Sequence, residues 1–531
     1  MNQQLSLIMF FFTCYCHPAL AQTDGELDNT FDSDGIVVTD FFTKNDRVNS
    51  VAIQDDGKII VGGMALLQDI SEFALARYNE DGSLDLSFGN AGKVATIFNN
   101  VKDEATAIAI ESETGKIVAA GYSMSHGDAN KGDIAIARYN PDGSLDNSFS
   151  GDGKLITVLG TIPSAAYALG LQSDGKIVVA GIVFNNGQYE NFVVIRYNND
   201  GTFDNTFNSV GVLYIELSQM DDRANALVIQ EDGKILISGY SYNNTNPSNQ
   251  FAMVRINQDG SIDNSFGING VMTTHFGSVE DYSYSIALQD DNKIILAGYS
   301  FNGSHSDFAL ARYNENGSLD NTFSGDGLLT TNFNGTSFES ISSVIIQPDG
   351  KILAGGASTD ESLVGFDFAL ARYNSDGSLD NTFSSDGKLI TQISTNINDQ
   401  INSLALQQNG NIIAAGYSYG PSGMENFTIT RYLSQLSVGT INFSNENLRA
   451  NIYPNPIIEE SILEYSLTTN EKLSLFLVDV GGNIVKTFFS EQLRNKGLNK
   501  EYFNVSNIQP GEYFLQLSNQ KNKVSVTIFI Q

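Results

Sequence analysis

The sequence predicts an all-β chain, a seven-bladed β-propeller of four-stranded blades followed by a small C-terminal β-sandwich. Three observations carry this expectation. One segment returns seven times at steps of 58 to 60 residues, each unit holds four apolar runs of strand length, and a joint motif is displaced from one end of the array to the other.

The repeat is marked by a turn residue at Gly57, Gly115, Gly175, Gly233, Asn292, Gly350 and Gly410. In the first copy the four runs are Ile36 to Phe42, Val48 to Gln54, Lys58 to Ala65 and Phe73 to Asn79, here called a, b, c and d. The b–c junction, Asp55-Asp56-Gly57-Lys58, is a hairpin turn in which Gly or Asn supplies a positive φ, so Asn292 fits that position. Run d, Phe73-Ala74-Leu75-Ala76-Arg77-Tyr78, is apolar on both faces and demands cover on both sides. Sheets stacked face to face around an axis meet that demand.

After run d comes the joint, in its first copy Asp81-Gly82-Ser83-Leu84-Asp85-Leu86-Ser87-Phe88. Its Asp and Phe recur at Asp85, Asp146, Asp204, Asp263, Asp320 and Asp380, and at Phe88, Phe149, Phe207, Phe266, Phe323 and Phe383. After the seventh run d, which ends at Arg431-Tyr432-Leu433, the joint is missing, yet Leu27-Asp28-Asn29-Thr30-Phe31 stands alone near the N-terminus. The expectation is a closed ring over residues 22–433, locked by residues 22–35. One arginine per unit (Arg77, Arg138, Arg196, Arg255, Arg312, Arg372, Arg431) matches one joint aspartate, which suggests a repeated charge-assisted contact. These repeats, with Phe73-Ala74-Leu75-Ala76-Arg77-Tyr78-Asn79 and Asp376-Gly377-Ser378-Leu379-Asp380-Asn381-Thr382-Phe383, resemble the delta-60 repeat family of bacterial surface and secreted proteins. That resemblance implies the fold and transfers no catalytic residue.

Composition shifts after Leu433. Residues 434–447 read as a linker, and 448–531 as a module of six or seven short strands with turns at Gly481-Gly482 and Pro510-Gly511, a small β-sandwich. Tyr453-Pro454-Asn455-Pro456, Asp479-x-Gly481-Gly482 and Pro510-Gly511-x-Tyr513 resemble the type A C-terminal sorting domain of the type IX secretion system. The resemblance implies export across a Gram-negative outer membrane by that machinery, and a mature protein that is secreted or held at the cell surface.

Residues 1–21 read as a signal peptide: an apolar stretch from Leu5 to Tyr15, then Pro18 and the small-residue site Ala19-Leu20-Ala21. Cys14 and Cys16, the only cysteines, fall inside it, so the mature chain is expected to lack thiols and disulfides. No later apolar run is long enough to span a bilayer. The net charge is −32, of which −31 precedes Glu446, a balance that disfavours nucleic acid and anionic lipid as partners.

No catalytic centre and no cofactor is legible. His126, His275 and His305 lack flanking ligand spacing and read as loop histidines. Runs such as Asp32-Ser33-Asp34-Gly35 look like calcium loops, but Ala91 and Val210 occupy the residue before Gly in two copies, which suits a turn and not a ligand. One acidic set keeps two readings open: Asp46, Asp103, Asp222, Asp281, Glu339 and Asp399, with Ser164 in the same register, either cap the turns before run b or form an acidic ring that binds a cation such as calcium. The a–b and c–d loops, which vary in length and content, share one end of the propeller and read as a binding face. The function expected is a non-enzymatic binding or scaffold protein with an unidentified extracellular protein or glycan partner. The alternative is a propeller hydrolase or lyase acting on glycan or lactone.

Overall fold

The computed structural model describes residues 23–530 apart from 99–101, 125–131, 161–162, 186–188, 244–247, 360–364, 396, 435–447, 454–456, 458–459, 468, 480–482, 507, 510 and 520–522. The signal peptide, the two cysteines, His126, nearly all of the linker and the Pro454-Asn455-Pro456, Gly481-Gly482 and Pro510 motifs lie outside the described residues.

Among the described residues every regular element is a strand. Residues 36–432 form seven four-stranded antiparallel blades; two of them are joined into one eight-stranded sheet by a single parallel pair, Ser71 with Lys102. The grouping of runs differs from the order in which they were counted. Runs b, c and d of one unit pair with run a of the next, as in Asp46–Ile53, Ile59–Leu67, Ile70–Tyr78 and Lys93–Thr96. Run b is innermost: Asp46–Ile53 lies against both Lys102–Ile110 and Gln400–Leu406, so the seven inner strands close a ring. The first run a, Ile36–Thr39, therefore has no preceding blade in sequence and becomes the outer strand of the seventh blade, paired with Glu425–Tyr432.

Each pair of neighbouring blades shares its own apolar core. Phe31, Val61 and Tyr78 meet Ile413 and Phe427 between blades one and seven, and Ile60 and Phe73 meet Ile117 and Ala135 between blades one and two. A radial stack of sheets buries both faces of run d, which is why its apolar residues do not alternate with polar ones.

All seven inner strands carry a β-bulge at one register: Asn49, Thr106, Tyr167, Asn225, Tyr284, Ser342 and Asn402. The bulged side chain reaches round the ring. Asn49 Nδ2 donates to the Ala105 carbonyl (2.8 Å), Asn225 Nδ2 to Ser283 (2.8 Å) and Asn402 Nδ2 to Val48 (2.6 Å). Opposite each bulge run c has glycine, and a Cβ on Gly239 would lie 1.8 Å from the Arg223 carbonyl oxygen. The recurring Gly of run c is thus fixed by a bulge on its partner strand.

The C-terminal module is a β-sandwich of a three-stranded sheet (Leu448–Tyr453, Glu460–Leu467, Gly497–Asn504) on a four-stranded one (Glu471–Asp479, Ile484–Arg494, Gly511–Ser518, Lys523–Ile530). Its core, including Ile452, Tyr465, Leu475, Leu515 and Ile528, contains no propeller residue.

Candidate functional site on the loop face

The joints are structural. In each of the seven, the arginine Nε lies 2.7–2.8 Å from an oxygen of the joint aspartate and the guanidinium lies 4.5–5.0 Å from the centroid of the joint Phe ring. In six blades the lysine of the b–c turn also approaches that aspartate, as Lys116 does Asp146 at 2.9 Å; in the seventh Asn411 takes its place against Asp28. Burial alone would raise the Asp204 carboxyl, but bonds from Thr206 and the Arg196 charge hold it down at about 2. With the arginines buried and committed, this ring offers nothing to a ligand.

The acidic register behaves as a set of caps. Asp46 accepts the Phe41 N–H (2.6 Å), Asp103 that of Phe98 (2.7 Å), Asp281 that of Phe276 (2.9 Å) and Glu339 that of Phe333 (2.7 Å). Asp222 accepts from Leu217 and Ser218, and Asp399 from Ile393 and Ser394. All six are fully buried within the a–b turns of separate blades. Burial pushes Asp46 up to about 6 and Glu339 to about 7. His275 joins the same arrangement through its Nδ1, 2.5 Å from Asp281, and His305 contacts Asn302; both are partly buried. Among the described residues no three His, Cys, Asp or Glu side chains are grouped as metal ligands.

One residue further along each inner strand the side chains change character. Arg47, Glu104, Arg223, Tyr282 and Gln400 occupy that register in blades one, two, four, five and seven, and run c sets Tyr122, Tyr240, Tyr299 and Tyr417 opposite the last four. They form a half-buried band at the a–b and c–d end of the ring. Arg47 pairs with Glu425 (2.7 Å) and lies 4.5 Å from the Tyr417 ring; Arg223 stands 4.2 Å from the Tyr167 ring; Tyr240 packs edge-on to Tyr282, with centroids 4.8 Å apart. Tyr122 donates to Glu104, while Tyr282 and Asn249 Nδ2 donate to Glu280. Burial first, then the neighbouring carboxylates, drives the Tyr122 and Tyr282 phenols far above their usual range; Tyr240 is pushed up to about 12.

The band is interrupted at blade three, where Ala165 and Ile182 fill the two registers, and at blade six, where Ser340 and Ala357 do. The short Ser340 lines a cleft of about 420 Å³ between blades five and six, walled by Tyr282, Tyr299, Phe301, Phe338 and Phe366. Glu339, named from the sequence as one of the acidic set, lies in the cleft; the other residues of the band and the cleft were not picked out from the sequence. The available signal was the Gly-Tyr pair closing run c in four units, at Tyr122, Tyr240, Tyr299 and Tyr417. Three of the variable c–d loops, at residues 123–133, 242–250 and 358–366, lie partly outside the described residues.

Comparison with protein families matches two models. The first, "Domain of unknown function (DUF5122) beta-propeller", matches six times, at residues 54–88, 113–149, 172–207, 230–266, 289–323 and 347–383. The second, "Secretion system C-terminal sorting domain", matches residues 451–531. The chain carries a DUF5122 beta-propeller and a secretion-system sorting domain. Every DUF5122 match ends on a joint Phe, and the seventh blade escapes the model because its joint, Asp28 to Phe31, sits at the other end of the chain. The sorting domain marks the protein for type IX export, to the surface of a Gram-negative cell or beyond it.

No curated protein sequence matches the chain. Among solved structures it is similar to the β-propeller domain of the Trilobed protease from Pyrococcus furiosus (9% identity, 72% of this chain and 94% of that one, TM-score 0.37). It is also similar to Sqt1 of Chaetomium thermophilum (12%, 81% and 95%, 0.41) and the polysaccharide lyase Uly1 (10%, 73% and 89%, 0.42). At these scores the likenesses carry no inference about function.

Proposed function

We propose that this secreted propeller is a non-enzymatic binding protein that engages an extracellular partner through the loop face. The observation that carries the reading is the tyrosine band, whose ionisable groups are already committed to one another: Arg47 to Glu425, Tyr122 to Glu104, Tyr282 and Asn249 to Glu280. A nucleophile or general base needs a group poised to react near neutral pH, and these phenols are held protonated. Half-buried tyrosine and arginine, rigid and amphipathic, are side chains that dominate recognition surfaces.

A hydrolase or lyase acting on glycan or lactone is favoured by one feature only, Glu339, whose carboxyl titrates near 7 under the cleft. Arrays of extracellular glycans and proteins probed with the full mature chain and with its Arg223→Ala/Tyr240→Ala variant test the reading. Capture that the variant loses, with the ligand recovered intact, supports binding. Turnover of the captured ligand, or capture unaltered by the substitutions, overturns it.

A further inference from the structure

The cleft between blades five and six has a composition unlike the rest of the acidic surface. Tyr282, Tyr299 and Phe301 of blade five line it together with Phe338 and Phe366 of blade six, and Phe338 is 36% exposed although it is a large apolar ring. Val279, 49% exposed, extends the apolar wall. The charged groups lining the cleft are Glu280 and Glu339, and no basic side chain lines it. Glu280 is aimed by two donors, the Tyr282 hydroxyl and Asn249 Nδ2. Glu339 sits beneath with Oε1 held by the Phe333 N–H and the Ser337 hydroxyl, while Oε2 has no hydrogen-bond partner.

Aromatic faces present negative potential, so rings around a void favour a cation over a neutral group of the same shape, and the preference grows as water is excluded. Carboxylates at the edge and floor add to it, and the propeller body, at −31, raises the local concentration of cations. An inorganic ion gains little from apolar walls, whereas an organic cation buries its methyl or methylene groups against them.

We propose that this cleft binds an alkylammonium group, carried either by a small organic cation or by a lysine side chain of a partner. The proposal rests on the loop face being the binding face and names the ligand chemistry of one part of it. Ser340 leaves the room, the rings supply the walls, and Glu280 supplies the counter-charge.

The test titrates the full mature chain with choline, with N-acetyl-lysine methylamide and with the neutral tert-butyl isostere of choline, read by calorimetry. Binding of a cation about tenfold or more tighter than the isostere is expected, and choline against the lysine amide separates the two sources. Glu280→Gln and Phe338→Ala should each weaken the favoured cation several-fold while leaving thermal unfolding unchanged, since neither side chain is part of an inter-blade core. Equal binding of the neutral isostere, no saturable binding of either cation at millimolar concentration, or affinity indifferent to both substitutions overturns the proposal. If cations fail to bind while arrayed ligands are still captured and lost with Arg223→Ala/Tyr240→Ala, the ligand class is wrong and the loop-face reading stands. Failure of both removes both.

Discussion

Asp28 and Arg431 are 403 residues apart in the chain, and the aspartate Oδ2 lies 2.8 Å from the arginine Nε. The same contact in the first blade joins Arg77 to Asp85, eight residues apart, also at 2.8 Å. Around Asp28 the whole joint is reproduced: Thr30 donates to it, Phe31 lies under the Arg431 guanidinium at 4.6 Å, the Gly25 N–H donates to the Leu433 carbonyl and the Leu433 N–H to that of Glu26. Even Asp24 has its role, since its carbonyl accepts the Ser384 N–H as that of Asp81 accepts Asp32, and its carboxylate meets Arg372. A local contact has been made non-local, and the ring is held where its two ends meet.

Asp28→Ala leaves a buried guanidinium without its counter-ion, a change that costs roughly 3 kcal/mol or more. Because this contact also closes the ring, removal of residues 23–35 should go further, lowering the unfolding temperature and opening the seventh blade to protease from its outer edge. Urea unfolding and limited proteolysis measure both. A loss below about 1 kcal/mol for Asp28→Ala would remove the closure role.

Closure was legible because a displaced motif can be counted: six joints follow seven arginines, and the seventh joint stands at Asp28. The blade composition was less legible, since sequence order shows runs a to d in each unit but not that run a crosses to the preceding sheet; only pairing of Ile36–Thr39 with Glu425–Tyr432 reveals it. The band and, apart from Glu339, the cleft were invisible for another reason. They depend on residues that differ between units, Arg47, Glu104, Arg223, Tyr282, Ser340, and comparing repeats draws the eye to what is constant. The turn lysines were read as hairpin residues, and their reach to the joint aspartates is a tertiary contact no local spacing encodes.

The bulge makes a sharp prediction about glycine. Ala at Gly239 would set its Cβ 1.8 Å from the Arg223 carbonyl, and backbone cannot yield there without undoing the bulge. Ala at Gly151 meets nothing within 4 Å and carries only the strain of φ +90. Gly151→Ala should cost about 1–2 kcal/mol, and Gly239→Ala clearly more or fail to fold, by thermal unfolding of the secreted proteins. Equal losses would mean that the run c glycines serve flexibility instead of fit.

Stability should fall toward neutral pH. Glu339 is raised from 4.5 to about 7 and Asp46 from 3.8 to about 6, first by burial, so folding favours their protonated forms. For a raised carboxyl, the stability is complete below the unfolded value and is lost as pH climbs through the folded one. The window is therefore about pH 4 to 7, and Glu339 alone accounts for up to ~3 kcal/mol across it. The joint aspartates act oppositely: Asp204, Asp263, Asp320 and Asp380, held at about 2, lose their contribution below about pH 4. Unfolding measured from pH 3 to 8 should peak between these limbs, and Glu339→Gln should flatten the upper one. An upper limb unchanged in that variant would place the titration elsewhere.

The sorting domain has its own core, and the exposed Lys500–Asp290 pair that joins it to a blade at 2.9 Å is worth little in water. A chain ending at residue 447 should therefore fold its propeller and remain in the periplasm. Fractionation with a protease-resistance assay reads both. Normal export of the shortened chain would separate secretion from this domain.

Calcium is the last test, because the acidic register admitted a cation when only the sequence was considered. A calcium ion takes six to eight oxygens at about 2.3–2.6 Å. Here each carboxylate already serves its own blade: Asp222 binds two backbone N–H groups and the Ser241 hydroxyl, and Asp281 binds the Phe276 N–H, the Ser278 hydroxyl and His275. The oxygens without a partner, on Asp46, Glu339 and Asp399, belong to three different blades and are buried. Holding an ion would break the caps that start the inner strands, at a cost the ion would have to offset. A site on the folded state stabilises it by mass action, by about 2.7 kcal/mol at a hundredfold excess over Kd. Thermal unfolding in millimolar calcium and in chelator should therefore superimpose, and a rise of several degrees with calcium would overturn the capping assignment.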